Sequence, residues 1–346
     1  MNARPILAPL AALLLVAAAC EAPRAAAPAA TTAPAATSAV AATATVAPPP
    51  SFEGKTLNVV TGGTGGVYIV YGAGLADILT KKLKVAASAQ ATVASVANMQ
   101  LIRDGKADLA FTLADTAYDA FVGRGSFKPA EKVDARTLAV LYSNYTHIVA
   151  KDGAGINTVA DLKGKRVSMG AAASGTEVIG NRVLEAYGLD PAKDVQRERL
   201  GVADSASALR DGKIDAFFWS GGLPTSQILD LATSVKLKFV DHTDSIKKMA
   251  DKYGPFYFPI KIPAGTYRNE QEIAVAGVAN LLVAPAKLDP ALAQAILKTM
   301  FDSQADLATI HAEAKKLTLQ SAVEGSPLDF HPGAIDFYKS RGVWKK

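Results

Sequence analysis

Apolar residues along the chain follow two alternating patterns, short β-branched runs and stripes with helical spacing. Residues 57–60 form a short apolar run that ends in a glycine-rich loop at 61–66, which predicts a strand followed by a turn. After the loop, apolar residues recur every four positions, which predicts a helix with one buried face. The residues of this stripe are Val67, Tyr71, Leu75, Leu79 and Leu83.

The same alternation continues through most of the chain. Further strands are predicted at 85–91, 109–113, 138–142, 147–150, 167–169 and 214–219, and further helices at 95–104, 115–121 and 204–211 and after Ser174 and Pro224. Residues 255–263 are punctuated by proline and predicted to be extended, and the chain from Asn269 onward is predicted to be mostly helical. Strands that alternate with helices favour parallel sheets with right-handed crossovers.

One sequence motif occurs twice. Residues 102–112 are IRDGKADLAFT and residues 209–219 are LRDGKIDAFFW. Each copy follows a helical run, and a loop rich in glycine, serine or threonine lies upstream, at 61–66 and 170–176. The motif itself is interpreted as structural, because its glycine suits the end of a helix. Its repetition predicts two α/β lobes with a ligand cleft between them.

The two lobes are expected within a three-part division of the folded chain. Residues 51–150 are predicted to form the first part of lobe 1, residues 151–260 lobe 2, and residues 261–346 a return to lobe 1 with C-terminal helices.

The N-terminal 50 residues have a composition unlike the rest. Residues 1–20 combine Arg4 with a short apolar stretch, which is typical of a signal peptide. Cys20, the single cysteine, follows three alanines and resembles the acylated cysteine of a bacterial lipoprotein; the alternative is a stray cysteine in an ordinary secretory signal. Residues 21–50 are nearly all Ala, Pro, Thr, Ser and Val, which predicts a disordered tether.

Composition and motifs also exclude several classes of function. The formal charge of +5 is spread thinly and lysines occur at most in pairs, so no nucleic-acid partner is expected. The four histidines are isolated, and no metal site is expected. No P-loop lysine follows the glycines, and Gly-x-Ser-x-Gly does not occur. No cofactor is therefore expected either. The protein is expected to be a monomer.

Two of the loops suit an anion. The first turn of a helix has amide groups without partners inside the helix and a partial positive charge, and glycines let a ligand approach closely. The residues concerned are Thr64, Gly65 and Gly66 in the first loop and Ser174, Gly175 and Thr176 in the second, with Ser220 and Gly221 in a third. The alternatives are a tight turn at 62–66 and a capping box at Ser174 and Glu177.

At this point the chain resembles the TAXI family, the solute-binding receptors of one class of tripartite ATP-independent periplasmic (TRAP) transporters. The resemblance covers residues 55–346. It rests on TGGTGGVY at 61–68, the segment 92–98, DTAY at 115–118, SGTE at 174–177, SGGLP at 220–224 and HPGA at 331–334.

The resemblance implies a fold, a function and a place in the cell. The fold is a type II-like periplasmic-binding-protein fold with parallel-dominated sheets, an interlobe cleft and a hinge. The protein would bind a small organic acid or acidic amino acid, such as glutamate, 2-oxoglutarate or another dicarboxylate. It would deliver this ligand to the membrane subunits of a TRAP permease. It would not be an enzyme, and it would be lipid-anchored in the periplasm or at the cell surface. The alternative is a periplasmic sensor that uses the same cleft.

The resemblance and the loop chemistry together give a candidate ligand site. Its residues are Thr64, Gly65, Gly66, Tyr68, Thr92, Ser95, Asn98, Asp115, Ser174, Gly175, Thr176, Ser220 and Gly221. Asp115 would repel a bare carboxylate, so it indicates a ligand amine, a hydroxyl or a bridging water; a helix N-cap is the alternative. Residues 171–173 are all alanine where the family tends to have glycine or proline, which is expected to stiffen the second loop.

Overall fold

One mixed sheet of ten strands runs through residues 50–345, the part of the chain that the computed structural model describes. The predicted signal peptide, Cys20 and all of the predicted tether except Pro50 lie outside these residues. Between residues 50 and 345, no helix is both long enough and apolar enough to cross a bilayer.

Strands and helices alternate along most of the chain. The strands are β1 (Thr56–Val60), β2 (Ala86–Gln90), β3 (Leu109–Leu113), β4 (Ala135–Lys151), β5 (Arg166–Ser168), β6 (Gln196–Glu198), β7 (Ala216–Gly221), β8 (Leu237–Phe239), β9 (Tyr257–Ile262) and β10 (Ile273–Pro285). The helices are α1 (Val67–Leu83), α2 (Ser95–Arg103), α3 (Ala114–Val122), α4 (Gly175–Ala186), α5 (Val202–Arg210), α6 (Ser226–Ser234), α7 (Ser245–Tyr253), α8 (Pro290–Asp302), α9 (Gln304–Ile310) and α10 (Pro332–Ser340).

The strand order defines two lobes joined by two long strands. The order is β2-β1-β3-β10-β4-β7-β5-β6, with β8 on β4 and β9 on β10. The flanks are parallel, as βαβ units require, whereas β4 and β10 pair antiparallel with each other and with their other neighbours. Lobe 1 contains β1–β3, α1–α3 and α8–α10. Lobe 2 contains β5–β9 and α4–α7.

The long strands β4 and β10 cross from one lobe to the other. In β4, the residues up to Tyr145 pair with β10, and Tyr145–Ala150 pair with β7 of lobe 2. In β10, Ile273–Val278 pair with β9, and Asn280–Val283 pair with β3 of lobe 1. Two crossing strands between two α/β lobes form the predicted hinge connection.

Two predictions of secondary structure were wrong in this region. The strands expected at 138–142 and 147–150 are one continuous strand, β4, and the region expected to be helical after Asn269 begins with β10. Nearly all of β10 after Ala274 is buried on both faces, so its sequence lacks the alternation that distinguishes a half-buried strand. A continuous apolar run cannot be told from a buried helix by periodicity alone.

The apolar cores on the two faces of the sheet differ. On one face a single core extends over both lobes and includes Val60, Phe218 and residues of α2, α3, α4 and α7. On the other face lobe 1 has a core around Val59, α1, α8 and α10, and lobe 2 has a separate core around Phe217, α5 and α6. Neighbouring strand residues such as Val59 and Val60 point to opposite faces. The lobes therefore share a core on one face only.

The duplicated motif has the same structural role in both lobes. Its glycines, Gly105 and Gly212, have φ of +68° and +73° and follow α2 and α5. Its second aspartate accepts a backbone hydrogen bond from the neighbouring strand, from the Asn58 amide to Asp108 at 2.8 Å and from the Arg166 amide to Asp215 at 2.8 Å. These contacts confirm the structural interpretation.

Candidate functional site

A cavity of about 490 Å³ lies between the lobes, where strands of both lobes end and helices begin. Its wall in lobe 1 comes from the glycine loop, the start of α2, the end of β3 and the hinge strand β4. Its wall in lobe 2 comes from the loop before α4, the segment 199–204 and the end of β7. In α/β sheets, ligands bind at this end of the strands.

Most of the predicted site residues line this one cavity. They are Thr64, Gly66, Tyr68, Thr92, Ser95, Ser174, Gly175, Thr176, Ser220 and Gly221. Residues from four separate loops are thus brought together, as the sequence predicts. Gly65, Asn98 and Asp115 do not line the cavity.

Four helices of both lobes begin at the cavity wall. The N-cap residues are Gly66 for α1, Ala94 for α2, Ser174 for α4 and Gly201 for α5. The caps at Gly66, Ala94 and Gly201 make no side-chain hydrogen bond to their helix. Because the partial positive charges of four helix starts meet here, the cavity suits an anion.

Ser174 caps α4 in the predicted way. Its Oγ accepts from the Glu177 amide at 3.1 Å, and the Glu177 carboxylate accepts from the Ala173 amide at 2.9 Å. The serine half of the predicted capping box is thus present, whereas Glu177 binds the amide before the N-cap instead of the Ser174 amide. The Ser174 hydroxyl keeps its proton and can still donate to a ligand.

Gly65 contacts lobe 2 instead of the cavity. A Cβ at this position would lie 2.0 Å from the Gln227 side chain, and the Ser226 hydroxyl donates to the Gly65 carbonyl at 3.4 Å. Gly65 has φ +85°, so it also needs the freedom of glycine. Next to it, the Trp219 ring lies 3.2 Å from the Cβ position of Gly66. The glycine loop therefore allows lobe 2 to approach lobe 1 closely.

Asn98 is buried behind the cavity wall. Its Nδ2 donates to the Thr61 carbonyl at 2.6 Å and to the Phe111 carbonyl at 2.8 Å, and its Oδ1 accepts from the Thr92 hydroxyl at 2.6 Å. Thr61 follows β1 and Phe111 lies in β3. Asn98 thus joins two strand ends, and the expected ligand contact is not supported by this geometry.

Asp115 is fully buried and faces a cation of the other lobe. Its carboxylate lies 3.1 Å from the Arg182 guanidinium, and it accepts from the Tyr257 hydroxyl at 2.8 Å and from the Thr116 amide at 2.6 Å. The N-cap of α3 is Leu113, so the N-cap alternative for Asp115 fails as well. Nothing in the sequence around Asp115 points to Arg182, which is 67 positions away.

A chain of hydrogen bonds crosses the floor of the cavity from lobe 1 to lobe 2. The Tyr68 hydroxyl donates to Oδ1 of Asn280, and Asn280 Nδ2 donates to Asn144 Oδ1 at 2.7 Å. Asn144 Nδ2 donates to the Ser220 hydroxyl at 3.3 Å, and the Ser220 amide donates to the Thr176 hydroxyl at 3.2 Å. Since the Thr176 and Ser220 oxygens only accept in this chain, their protons remain free for a ligand.

The two asparagines in this series of hydrogen bonds lie on the hinge strands, Asn144 on β4 and Asn280 on β10. Sequence reasoning missed them as site residues, although an asparagine inside an apolar strand is itself a signal of a buried partner. Burial raises the pKa of the Tyr68 hydroxyl well above its usual value, so this group stays protonated and donates.

The charged residues of the cavity wall lie at its rim. Arg199 and Asp204 are both exposed, and Arg199 Nε is 2.8 Å from the Glu177 carboxylate, which Arg197 also contacts. Of these residues, Glu177 was predicted from the sequence as a capping residue, whereas Arg197, Arg199 and Asp204 were not predicted to lie at the site. Two cations and two anions balance at this rim, and Arg199 is the cation among them that lines the cavity.

The topology and the cavity define the class of protein. Two α/β lobes, two crossing strands and an interlobe cavity form the periplasmic-binding-protein fold that the resemblance implies. The expected dominance of parallel pairing was wrong, because five of the nine strand pairs described are antiparallel, all of them made by the crossing strands β4 and β10. The sequence pattern of the NMT1-like family matches residues 59–342. The chain therefore belongs to the NMT1-like family.

Solved structures with a similar fold are distant in sequence. A protein from Bordetella bronchiseptica RB50 is 18% identical, with 84% of this chain and 89% of that chain covered and a TM-score of 0.51. The periplasmic aliphatic sulphonate binding protein SsuA from Escherichia coli is 17% identical, with 84% and 94% covered and a TM-score of 0.44. A binding protein component of an ABC phosphonate transporter from Pseudomonas aeruginosa is 12% identical, with 75% and 79% covered and a TM-score of 0.49.

Proposed function

We propose that this protein is an extracytoplasmic solute receptor that captures a small organic acid between its lobes. The observation that carries this proposal is the convergence of four helix starts and several free hydroxyl protons on one cavity. Such a wall satisfies a carboxylate without a buried lysine or arginine. A ligand that contacts both walls stabilises the closed arrangement of the lobes, because only that arrangement offers all the contacts.

Within the organic acids, a dicarboxylate such as 2-oxoglutarate fits the cavity best. One carboxylate would lie at the starts of α1, α2 and α4, and the second at the start of α5 beside Arg199. Glutamate adds an ammonium group, and the buried carboxylate expected to receive it, Asp115, is engaged by Arg182. The rim residue Asp204 is the remaining carboxylate of the wall described here, and it is exposed.

Binding without turnover is the activity that this wall supports. Hydrolysis or group transfer needs a base and an acid on opposite sides of a substrate. The titratable side chains of the described wall are the buried Tyr68 and Tyr142, the paired Arg199 and the exposed Asp204. None of them forms such a pair deep in the cavity.

Delivery completes the proposed function. On the TAXI resemblance, the loaded receptor docks on the membrane subunits of a TRAP permease, while Cys20 anchors it to the membrane through a lipid. The protein then acts as a monomer in the periplasm or at the cell surface.

A thermal-shift screen tests the ligand class. Dicarboxylates, 2-oxo acids, monocarboxylates, amino acids and neutral sugars would be compared at equal concentration. A ligand at 100 times its Kd stabilises the folded state by about 2.7 kcal/mol, so the true class gives a clear shift. We expect 2-oxoglutarate or a related dicarboxylate to give the largest shift. A shift by sugars or cationic amino acids but by none of the acids would contradict the proposal.

A further inference from the structure

Asp115, Asp119, Arg182 and Tyr257 form one buried polar cluster between the lobes, here termed the interlobe clasp. Asp115 and Asp119 lie on α3 of lobe 1, and Arg182 lies on α4 of lobe 2 with Tyr257 on β9. The side chains of the three charged residues are at most 6% exposed. Nothing in the chemistry of the cavity uses these residues.

Every charge of the interlobe clasp has partners. Arg182 contacts the carboxylates of Asp115 at 3.1 Å and of Asp119, and it donates to the Tyr257 hydroxyl at 2.6 Å. Asp119 also accepts from Arg124 Nε at 2.6 Å. A buried charge that loses its partner is strongly unfavourable, so the members of such a cluster depend on one another.

Further contacts surround the interlobe clasp and also join the lobes. Arg124 donates to the Tyr253 carbonyl at the end of α7, and the rings of Tyr118 and Phe256 are 5.1 Å apart. The Tyr253 ring lies 4.2 Å from the Arg182 guanidinium. Aromatic side chains from both lobes thus exclude water from the ion pairs, within the apolar core that both lobes share.

The interlobe clasp also lies just behind the cavity walls. Asp115 follows the cavity residue Leu113 by two positions, and Arg182 lies two turns along the helix that begins at Gly175. A Cβ on Gly175 would lie 2.7 Å from the Ser95 hydroxyl oxygen, so α4 begins in contact with lobe 1. The position of α4 relative to α3 therefore sets the position of Ser174–Thr176 relative to Ser95.

The opposite face of the sheet is joined more weakly near α1 and α6. There the lobes have separate apolar cores, and the contact of Ser226 with Gly65 is exposed. Among the contacts described on this face, the one buried charge that joins the lobes is Glu313, which accepts from the Leu223 amide at 2.6 Å. Separating the lobes on this face exposes less apolar surface than separating them on the face of the interlobe clasp.

We propose that the contacts of the interlobe clasp stay formed in both the open and the closed arrangement of the lobes, so that the lobes pivot about them. We also propose that Arg182 is a positioning residue for the ligand site. Hinge motion then opens the cavity on the side of α1 and α6, while α3 and α4 keep their places. Asp115, predicted to touch the ligand, acts through Arg182 instead. This inference concerns the protein without ligand and does not depend on the identity of the solute.

Two pairs of spin labels in the full chain test, without any ligand, whether the interlobe clasp stays formed. Cys20 is the single cysteine, so Cys20→Ser gives a background for site-directed spin labels. Ser126→Cys with Lys247→Cys reports the side of the clasp, and Val70→Cys with Leu229→Cys reports the side of α1 and α6; all four positions are exposed. Pulsed electron paramagnetic resonance then gives the distance distribution of each pair.

We expect one narrow distance for the pair at the clasp and a broader or longer distribution for the pair on the opposite side. Equal broadening of both pairs, or a broad distribution at the clasp alone, would overturn the proposal. This comparison needs no substitution inside the clasp, so a folding defect cannot obscure it.

Variants then test whether the clasp itself is responsible. The triple variant Asp115→Asn, Asp119→Asn and Arg182→Met removes all three buried charges together, and Arg124, which loses the Asp119 carboxylate, has a partly exposed side chain. We expect the Ser126–Lys247 distribution to broaden toward the width of the other pair. The single variant Arg182→Lys keeps the charge, so we expect its Ser126–Lys247 distribution to be narrower than that of the triple variant and broader than that of the parent protein. Arg166→Met, which breaks an ion pair within lobe 2, is the control and should leave both pairs unchanged. An unchanged distribution in a folded triple variant would assign the positioning to the apolar core alone and overturn the role of Arg182.

Discussion

The Ala97 amide donates a hydrogen bond to the Ala173 carbonyl at 3.2 Å. Ala97 lies in the first turn of α2 in lobe 1, and Ala173 precedes α4 in lobe 2. Lobe 2 thus satisfies an amide that would otherwise lack a helical partner. Ala173 reaches this position with φ of +62°, in the left-handed region that favours glycine. The all-alanine loop at 171–173 therefore holds a strained residue at the contact between the lobes.

Ala173→Gly tests this strain. An L-residue in the left-handed region costs roughly 1–2 kcal/mol, and glycine in place of alanine costs about 0.4–1 kcal/mol through the unfolded chain. We expect Ala173→Gly to leave the free energy of unfolding unchanged or to raise it by as much as about 1.6 kcal/mol. Urea unfolding of the full chain measures this change.

The adjacent alanine is a matched control. Ala172 is exposed and is not among the alanines with positive φ, so Ala172→Gly should lower the free energy of unfolding by about 0.4–1 kcal/mol. Ala173→Val should be clearly destabilising, because a β-branched residue is a poor fit to this backbone. Equal losses for the two glycine variants would show that the backbone at Ala173 is not strained.

Thr176→Val tests the proposed ligand contact. Thr176 lines the cavity and its oxygen accepts from the Ser220 amide, which leaves its proton for a ligand, so valine removes a donor to the ligand at nearly constant shape. We expect a loss of binding free energy of roughly 1–3 kcal/mol, or about 5- to 150-fold in Kd. Titration calorimetry with the acid that gives the largest thermal shift measures it.

The control for this experiment is Thr233→Val on α6. Thr233 is exposed, and its hydroxyl donates to the Asp230 carbonyl within the same helix. Its Kd should match that of the parent protein. An unchanged Kd for Thr176→Val would remove Thr176 from the ligand site.

The sequence predicted the cavity wall well because its chemistry is local. A glycine loop before a helix and a capping serine are adjacent residues, so Gly66 and Ser174 carry their own signal. The duplicated motif placed equivalent loops in two lobes, and both loops line the cavity. Local patterns therefore identified most of the wall.

The missed features are contacts between residues that are far apart in the chain. Asn144 and Asn280 meet only because β4 and β10 pair, and Arg182 meets Asp115 only because the lobes approach each other. Asp115 by itself fitted a ligand contact or a helix cap equally well. Single-sequence patterns record spacing along the chain, and such partners have no fixed spacing.

Asn98 provides a test of a structural role next to the site. Asn98→Leu removes the donor to the Thr61 and Phe111 carbonyls and the acceptor for Thr92. We expect the free energy of unfolding to fall by about 1–3 kcal/mol, the cost of leaving buried polar groups without a partner. Urea unfolding and calorimetry on the same variant separate stability from binding.

Asn98→Leu should lower the free energy of unfolding but leave the ligand affinity nearly unchanged. The folded Asn98→Leu protein should keep a Kd much closer to the parent value than Thr176→Val does, because Asn98 does not line the cavity. A large loss of affinity without a loss of stability would return Asn98 to the ligand site.

His242 links stability to pH. Burial lowers the pKa of the His242 imidazole to about 4, against an ordinary value of 6.5. Its Nδ1 lies 3.0 Å from the Val240 carbonyl and its Nε2 accepts from the Ala276 amide at 3.2 Å, which together require the neutral ring. Protonation would place an N–H group against the Ala276 N–H. Burial also lowers the pKa of the buried His147 to about 4.

The sign of the effect follows from these values. A histidine with a lowered folded-state pKa contributes stability that is fully present above pH 6.5 and is lost as the pH falls from about 6.5 toward 4, because the unfolded chain binds the proton first. The loss is at most about 3 kcal/mol for one such histidine. We expect the free energy of unfolding to fall steeply over this interval and to be nearly flat above it.

Unfolding by urea at a series of pH values between 7 and 4 tests the assignment with two variants. His242→Gln should be less stable at pH 7 but should show a shallower fall toward pH 4, since one of the three buried histidines, His147, His242 and His331, no longer titrates. Burial also lowers the pKa of the half-buried His311, but without the large shift of His242, so His311→Gln should reduce the slope less than His242→Gln does. If His242→Gln instead kept the full slope, protonation of other groups would account for the acid sensitivity, and the Ala276 hydrogen bond would have no part in it.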